Sequence, residues 1–239
     1  MNGSGWTVPI ARWAIWRADA ADDQPDVKFI DPMLRRRLSL LSRMTLKVAN
    51  DCIHDKPEVR FVFASRHGDL GRTTTLLESL ATGEELSPTS FSLSVLNASA
   101  GVLSILRRDT SPSTAISATG SSFGFGLLEA ASQLAADPST PVLLVYADEP
   151  VPALYDAEYA SGPAHALALL LECDAKLAFN CAFEAAAAQT GDEGHSLAFL
   201  RTLETGCGGV WHGENRRWSW KNVAAQDAPK AGETVQYTG

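Results

Sequence analysis

Short, continuous apolar runs, separated by stretches of helical periodicity, constrain the fold of this chain more than any other feature. Residues 60–64 (RFVFA) and 141–147 (PVLLVYA) are brief and β-rich, which predicts strands buried on both faces. Residues 8–16 predict another strand, and residues 164–171 and 177–183 predict two more that we expect to lie side by side. Strands of this kind need helices over both faces of their sheet, so the pattern predicts an α/β layered domain.

Helical segments separate these strands. Apolar residues recur at helical spacing from Leu34 to Cys52, and further helices are predicted over residues 73–81, 88–106 and 123–136. Residues 98–101 (ASAG) are all small, so another backbone could approach them closely, which predicts a tight packing interface.

The domain division follows from length and from the loss of periodicity near the end of the chain. The 239 residues suffice for one large domain, which we expect to span residues 1–205. Residues 206–239 show little periodicity, and we expect a tail that is partly ordered at most.

Composition narrows the classes of partner and compartment. A net charge of -8 argues against nucleic acid or an anionic membrane as a partner. No apolar run approaches the roughly 20 residues that a membrane span needs, and the first residues do not resemble a leader, so we expect a cytoplasmic protein. The four cysteines lack C-x-x-C spacing and predict reduced, buried thiols. No metal or cofactor is predicted.

A strand, a turn of small residues and a helix meet within residues 111–129 (SPSTAISATGSSFGFGLLE). At the start of a helix, free backbone N–H groups and the helix dipole stabilise negative charge, which suits a nucleophile. Residues 120–124 (GSSFG) match G-x-S-x-G, the turn that exposes the serine of α/β-hydrolases. Ser122 is therefore a candidate nucleophile of a serine hydrolase or thioesterase.

Possible partners for such a serine follow it in the order that hydrolases use. The candidates are Asp148 and Asp156 as the acid and His165, His195 and His212 as the base. His165 lies inside an apolar strand, which favours a packed and hydrogen-bonded core histidine over a base.

Residues 111–129 have a second interpretation when they are taken together with residues 85–105 (ELSPTSFSLSVLNASAGVLSI). Together they contain S-P-x-x-F, S-V-x-N-A-x-A-G, and a P-S-x-x-x-S strand that leads into the turn where ketosynthases carry T-A-C-x-S. These motifs resemble the N-terminal half of a β-ketoacyl synthase of the thiolase fold, over residues 6–185. The resemblance is nearest to short, N-terminal-domain-only proteins that act as chain-length-factor partners in aryl polyene pathways. Residues 32–44 and 63–70 are also typical of that group.

The resemblance implies a thiolase-like layered α/β fold, N-terminal half only, without catalysis. Gly120 stands where ketosynthases carry the nucleophilic cysteine, and no cysteine lies between Cys52 and Cys173. Without a thiolate, an acyl chain cannot be transferred onto this subunit. The half with the two histidines and the lysine for decarboxylation is also expected to be missing.

The resemblance further implies a partner. Chain length factors pair with a catalytic ketosynthase, as a heterodimer or a larger complex, and meet an acyl carrier protein through that complex. The implied interface strand comprises Ala115, Ile116 and Ser117. The implied acyl-tunnel residues are Phe91, Leu96, Asn97 and Leu103. Bulk at the tunnel floor would limit the chain, since overpacking costs about 1–3 kcal/mol.

Overall fold

The computed structural model describes residues 5–20, 23–155, 162–187 and 193–224. Its strands are β1 (Trp6–Arg17), β2 (Arg60–Ala64), β3 (Ser113–Ile116), β4 (Val142–Asp148), β5 (His165–Leu171), β6 (Leu177–Ala185), β7 (Gly209–Gly213) and β8 (Arg216–Ala224). Its helices are α1 (Pro32–Arg35), α2 (Leu40–Ile53), α3 (Leu70–Thr82), α4 (Pro88–Ser92), α5 (Ala98–Arg107), α6 (Ser122–Ala136) and α7 (His195–Thr205).

All eight of these strands form one mixed sheet in the order β3-β2-β4-β5-β1-β6-β8-β7. Strands β3, β2 and β4 run parallel, and the remaining neighbours pair antiparallel. The predicted side-by-side placement of β5 and β6 is wrong, because β1 lies between them. The 12 residues of β1 are enough to pair with β6 through Trp6–Ile10 and with β5 through Ile10–Arg17.

The sheet carries an apolar core on each face. Strands β2, β4 and β5 are buried along their whole length, which confirms the interpretation of their continuous apolar runs. One core packs helices α6 and α7 against the sheet, and the other packs α2 and α5. The predicted α/β layered architecture is thereby confirmed.

Local signals explain the helix boundaries. The helix predicted from Leu34 is split into α1 and α2, because the Ser39 side chain accepts a hydrogen bond from the N–H of Ser42 and starts a new helix there. Helix α3 ends at Gly83, whose positive φ of 75° suits a residue without a side chain.

The small residues 98–101 begin helix α5, and their close contact lies within the chain. Ser99 and Ala100 are buried, and the Ser99 hydroxyl lies 3.1 Å from the Ser42 hydroxyl of α2. The tight packing predicted for this segment therefore joins α5 to α2.

The end of the domain lies further along the chain than predicted. Strands β7 and β8 fill residues 209–224 and belong to the same sheet, so the division at residue 205 is wrong. The reason is that Trp218 and Trp220 alternate with polar residues and point into the core, where both are buried. Residues 225–239 lie outside the described part of the chain.

The described residues also bear on the expectations for the cysteines, a membrane span and a metal site. Cys52 and Cys181 are buried as predicted, whereas Cys173 and Cys207 are exposed, and all four thiols are free. No helix of the described residues is long and apolar enough to cross a membrane. The described residues contain no cluster of His, Cys, Asp and Glu side chains able to hold a metal ion.

Candidate functional site

The candidate site is the sharp turn between β3 and α6, which we call the elbow (residues 117–122). Strand β3 is the first strand in the sheet order, so the elbow lies at an edge of the sheet. The turn is held by two backbone hydrogen bonds, from Ser121 to the carbonyl of Ala118 and from Ser122 to that of Thr119. Thr119 adopts a positive φ of 48°, which non-glycine residues rarely do and which tightens the turn.

Ser122 does not have the surroundings of a nucleophile. Its side chain is fully buried, and its hydroxyl donates to the carbonyl of Thr119 at 2.7 Å and accepts from the N–H of Ala118 at 2.8 Å. Both hydrogen-bonding roles of the hydroxyl therefore serve the turn itself. A serine nucleophile must instead be exposed and hydrogen-bonded to a base.

The candidate acid and bases of a hydrolase have other partners. His165 is buried, as expected for a core histidine, and its Nε2 lies 2.8 Å from the Ser196 hydroxyl. Burial lowers the pKa of His165. Asp148 accepts from the Ser65 and Tyr146 hydroxyls, and His195 lies in an aromatic cluster. No hydrogen bond of the described residues joins Ser122 to any of these candidates, and Asp156 lies outside the described residues. The geometry thus argues against a serine hydrolase.

Gly120 lies at the tip of the elbow, and its backbone is engaged by a carboxylate. The Gly120 N–H donates to Oε1 of Glu214 at 2.6 Å, and the Ser121 N–H donates to Oε2 at 3.1 Å. Glu214 belongs to the turn between β7 and β8, 94 residues further along the chain. We call these two N–H groups the amide cradle.

Glu214 is ionised at neutral pH. Its partial burial alone would raise the pKa of the carboxyl group, but hydrogen bonds from Thr119, Gly120 and Ser121 outweigh burial, so the pKa is lowered. The position at the start of helix α6 acts in the same direction, since the helix dipole favours a negative charge there. Sequence reasoning did not find Glu214.

None of the four cysteines offers a reactive thiol at the elbow. Cys52 and Cys181 lie in the core, and burial raises the pKa of both thiols, that of Cys52 to about 12. A thiol with such a pKa remains protonated and unreactive at neutral pH. Cys173 follows β5, and Cys207 lies between α7 and β7, so neither belongs to the elbow.

The implied interface residues lie at the outer edge of the sheet. Ala115 and Ile116 end β3, and Ser117 follows, with its hydroxyl donating to the carbonyl of Arg66. The carbonyls of Pro112 and Ile116 accept hydrogen bonds from the N–H groups of Phe61 in β2 and of Ser65 directly after it. Alternate residues of a parallel strand turn their backbone groups to the same side, so Ala115 directs its N–H and C=O away from β2. No strand of the described residues pairs with that side.

The four implied tunnel residues do not share one environment. Phe91 of α4 is 60% exposed, and Asn97, at the start of α5, is also exposed. Leu96 is half-buried and packs against the core on the α5 side of the sheet. Leu103 is only 6% exposed and lines a shallow cavity of this core together with Phe61 and Leu143.

Comparisons with known proteins identify the family and the fold. A family model described as the N-terminal domain of β-ketoacyl synthase matches residues 12–221. The chain belongs to this family. The match extends through β7 and most of β8, so the hairpin that bears Glu214 is part of the family domain.

Solved structures show the thiolase-like fold of the family. One chain of the ketosynthase (ApeO) in complex with its chain length factor (ApeC) from Xenorhabdus doucetiae is 29% identical, with a TM-score of 0.78 over 90% of this chain and 99% of that chain. The ishigamide ketosynthase/chain length factor is 16% identical, with a TM-score of 0.58 over 83% of this chain and 73% of that chain.

A β-ketoacyl synthase from Burkholderia phymatum STM815 is 14% identical, with a TM-score of 0.54, and the match covers 84% of this chain and 67% of that chain. A search of curated proteins found no match to the sequence. The resemblance to ketosynthases and the fold that it implied are confirmed.

Proposed function

We propose that the chain is a non-catalytic, chain-length-factor-like subunit that pairs with an active 3-oxoacyl-[acyl carrier protein] synthase and shapes its acyl tunnel. The observation that carries the proposal is the elbow itself, whose strand, turn and helix contain no cysteine and whose Ser122 is buried. The family resemblance implies that Gly120 stands at the nucleophile position. The similarity to a ketosynthase and chain length factor complex supports the proposal.

Pairing would use the outer edge of β3. Ala115 has a backbone N–H and C=O on that side, and a second β3-like strand could hydrogen-bond to them across a two-fold axis. An unpaired edge of this kind favours aggregation, which is a reason for such an edge to be covered in the working complex.

Exposed apolar side chains on and between helices α3, α4 and α5 offer further surface to a partner. Phe91, Val95 and Ile105 are 60%, 47% and 75% exposed, and Leu77 and Leu80 of α3 are more than half exposed. Covering them would add apolar burial at about 25 cal/mol per Å². Of the four implied tunnel residues, Phe91 is therefore the one best placed to act on a partner. The complex with that partner would also bind the acyl carrier protein.

The test of pairing is co-expression with each cysteine-bearing ketosynthase encoded in the same genome, followed by purification through a tag on this chain and size-exclusion mass determination. A one-to-one or larger complex is expected. Ala115→Pro removes the outward N–H without removing a bond to β2, so it should abolish or strongly weaken the complex. Ala115→Val keeps the N–H and should retain it. A monodisperse monomer with every ketosynthase would overturn the proposal.

The test of tunnel shaping is product length. A strain that lacks this chain is complemented with either the wild type or Phe91→Ala. The variant is expected to shift the distribution of product chain lengths by at least one elongation step. Phe29→Ala is the control, because Phe29 is also exposed, at 48%, but precedes α1 and is not among the implied tunnel residues. An unchanged distribution in the deletion strain itself would show that the chain does not determine length.

A further inference from the structure

The hairpin of β7 and β8 carries a carboxylate into the elbow. Glu214 and Asn215 form its two-residue turn, with positive φ angles of 52° and 59°, and the flanking residues Gly213 and Arg216 pair across the ladder. Two positive φ angles are typical of the turn that matches the twist of a hairpin. The sheet backbone therefore fixes the position of Glu214.

The hairpin is also anchored by its side chains. Trp218 and Trp220 are buried, and the Nε1–H of Trp211 donates to the carbonyl of Glu193 at 2.9 Å. The Arg216 guanidinium lies 5.5 Å from the centre of the Phe125 ring of α6. These contacts hold the hairpin against α6, so Glu214 is not a side chain that happens to reach the turn from solvent.

The carboxylate takes both groups of the amide cradle. Its two oxygens accept from the N–H groups of Gly120 and Ser121, the same kind of donor that would stabilise the oxygen of a reacting carbonyl. A side chain at position 120 would also meet it, since a Cβ atom there would lie 3.3 Å from Oε1 of Glu214.

We propose that Glu214 is an internal plug, which fills the amide cradle of the elbow and closes it to the carbonyl oxygen of an acyl thioester. The elbow is then inactive for two independent reasons, the absent thiol and the occupied cradle. Restoring a cysteine alone would not restore acyl transfer. The plug is a property of the isolated chain, whereas pairing requires a ketosynthase. A negative result for either proposal therefore leaves the other unaffected.

The test restores a thiol in a background of Cys173→Ser and Cys207→Ser, which removes the two exposed cysteines. Gly120→Cys is compared with Gly120→Cys/Glu214→Ala. Two second-order rates are measured, for transfer of the acyl group from S-hexanoyl-N-acetylcysteamine and for alkylation by iodoacetamide. In the first reaction the introduced sulfur forms a new thioester bond to the acyl carbon as the carbon–sulfur bond of the donor breaks, and the proton of the introduced thiol leaves with N-acetylcysteamine.

The ratio of the acyl-transfer rate to the alkylation rate isolates the effect of opening the amide cradle. Loss of a nearby negative charge increases the fraction of thiolate and so accelerates both reactions. An open cradle accelerates only acyl transfer, because only that reaction involves a carbonyl oxygen. Removal of Glu214 is expected to raise the ratio at least about tenfold. Glu184→Ala is the matched control, since Glu184 is a carboxylate of the neighbouring strand β6 that pairs with Arg217 at 2.9 Å, and it should leave the ratio unchanged. An unchanged ratio without Glu214 would overturn the plug.

A second measurement covers the case in which Glu214→Ala loosens the hairpin. In glycine-labelled protein, Glu214→Gln should shift the amide resonance of Gly120, because a neutral amide is a weaker acceptor than a carboxylate. The resonances of Gly71 in α3 and Gly101 in α5, which belong to neither the elbow nor the hairpin, should stay unchanged. If the Gly120 resonance stays as well, the contact does not exist in solution and the proposal is wrong.

Discussion

The ring of His195 lies parallel to the ring of Trp211, with centroids 4.2 Å apart and an angle of 3° between the planes. His195 also contacts Phe123 and Trp218 and is 5% exposed. Its Nδ1 atom is buried without a hydrogen-bond partner in the described residues. Burial lowers the pKa of His195 to about 3, so the ring is neutral in the folded chain.

This burial predicts that the chain loses stability in mild acid. Between pH of about 3 and the ordinary histidine pKa of 6.5, the unfolded chain binds a proton that the folded chain does not. The free energy of unfolding should therefore fall as the pH decreases below 6.5, by up to about 1.4 kcal/mol per pH unit from this group. Urea denaturation at pH 7.5, 6.0 and 5.0 measures the slope.

The contribution of His195 is separated from that of other groups by substitution. His195→Gln does not titrate, so its slope between pH 7.5 and 5.0 should be shallower than that of the wild type whatever its absolute stability. His54→Gln is the control, because His54 is exposed and lies at the end of α2. Parallel slopes for wild type and His195→Gln would contradict a buried neutral ring.

Gly124 predicts a second effect in the same cluster. A Cβ atom there would lie 2.5 Å from Cε1 of His195 and 2.7 Å from the Trp218 ring, distances that require both rings to move. Gly124→Ala should therefore lower the free energy of unfolding by about 1–3 kcal/mol. The matched control is Gly101→Ala in helix α5, where nothing lies within 4 Å, and it should be neutral or stabilising by up to about 1 kcal/mol. Equal effects would show that helix propensity, not packing, decides at Gly124.

The Arg60 side chain is expected to stabilise the C-terminal end of α6. It is 9% exposed, and its guanidinium donates to the carbonyl of Gln133 in the last turn of α6 and to those of Asp137 and Thr140 after the helix. A lysine keeps the charge but cannot reach three acceptors in one plane. Arg60→Lys should cost about 1–3 kcal/mol in denaturant unfolding, and Arg36→Lys, at an exposed position, less than about 0.5 kcal/mol. If Arg60→Lys lowers the free energy of unfolding no more than Arg36→Lys does, the Arg60 guanidinium does not stabilise the end of α6.

Local patterns predicted the elements better than their arrangement. Residues 60–64 and 141–147 are recognisable as strands because both faces are buried, which leaves a continuous apolar run. The position of β1 between β5 and β6 is not, because antiparallel pairing depends on contacts far apart in sequence. The capping Ser39 could have divided α1 from α2, since serine is a preferred residue at a helix start.

The elbow shows the same limit for the site. Its strand, turn and helix could be predicted from residues 111–129, and the family resemblance implies that Gly120 takes the nucleophile position. Glu214 could not be found in this way, because its partners are backbone N–H groups, which leave no mark on sequence. The available signal was indirect: the alternation of tryptophan in residues 216–220 indicates a strand, and a Glu-Asn pair before it suits a hairpin turn.

Leu103 and Phe91, which the family resemblance groups together, differ in burial and should differ in their roles. Leu103 is 6% exposed, so Leu103→Ala should lower the free energy of unfolding of the isolated chain by about 2–4 kcal/mol. Phe91 is 60% exposed, so Phe91→Ala should change it by less than about 0.5 kcal/mol. Binding to the ketosynthase should then be weakened by Phe91→Ala while the isolated variant stays as stable as the wild type. If Phe91→Ala destabilises the isolated chain as much as Leu103→Ala, its side chain belongs to the core and is not available to a partner.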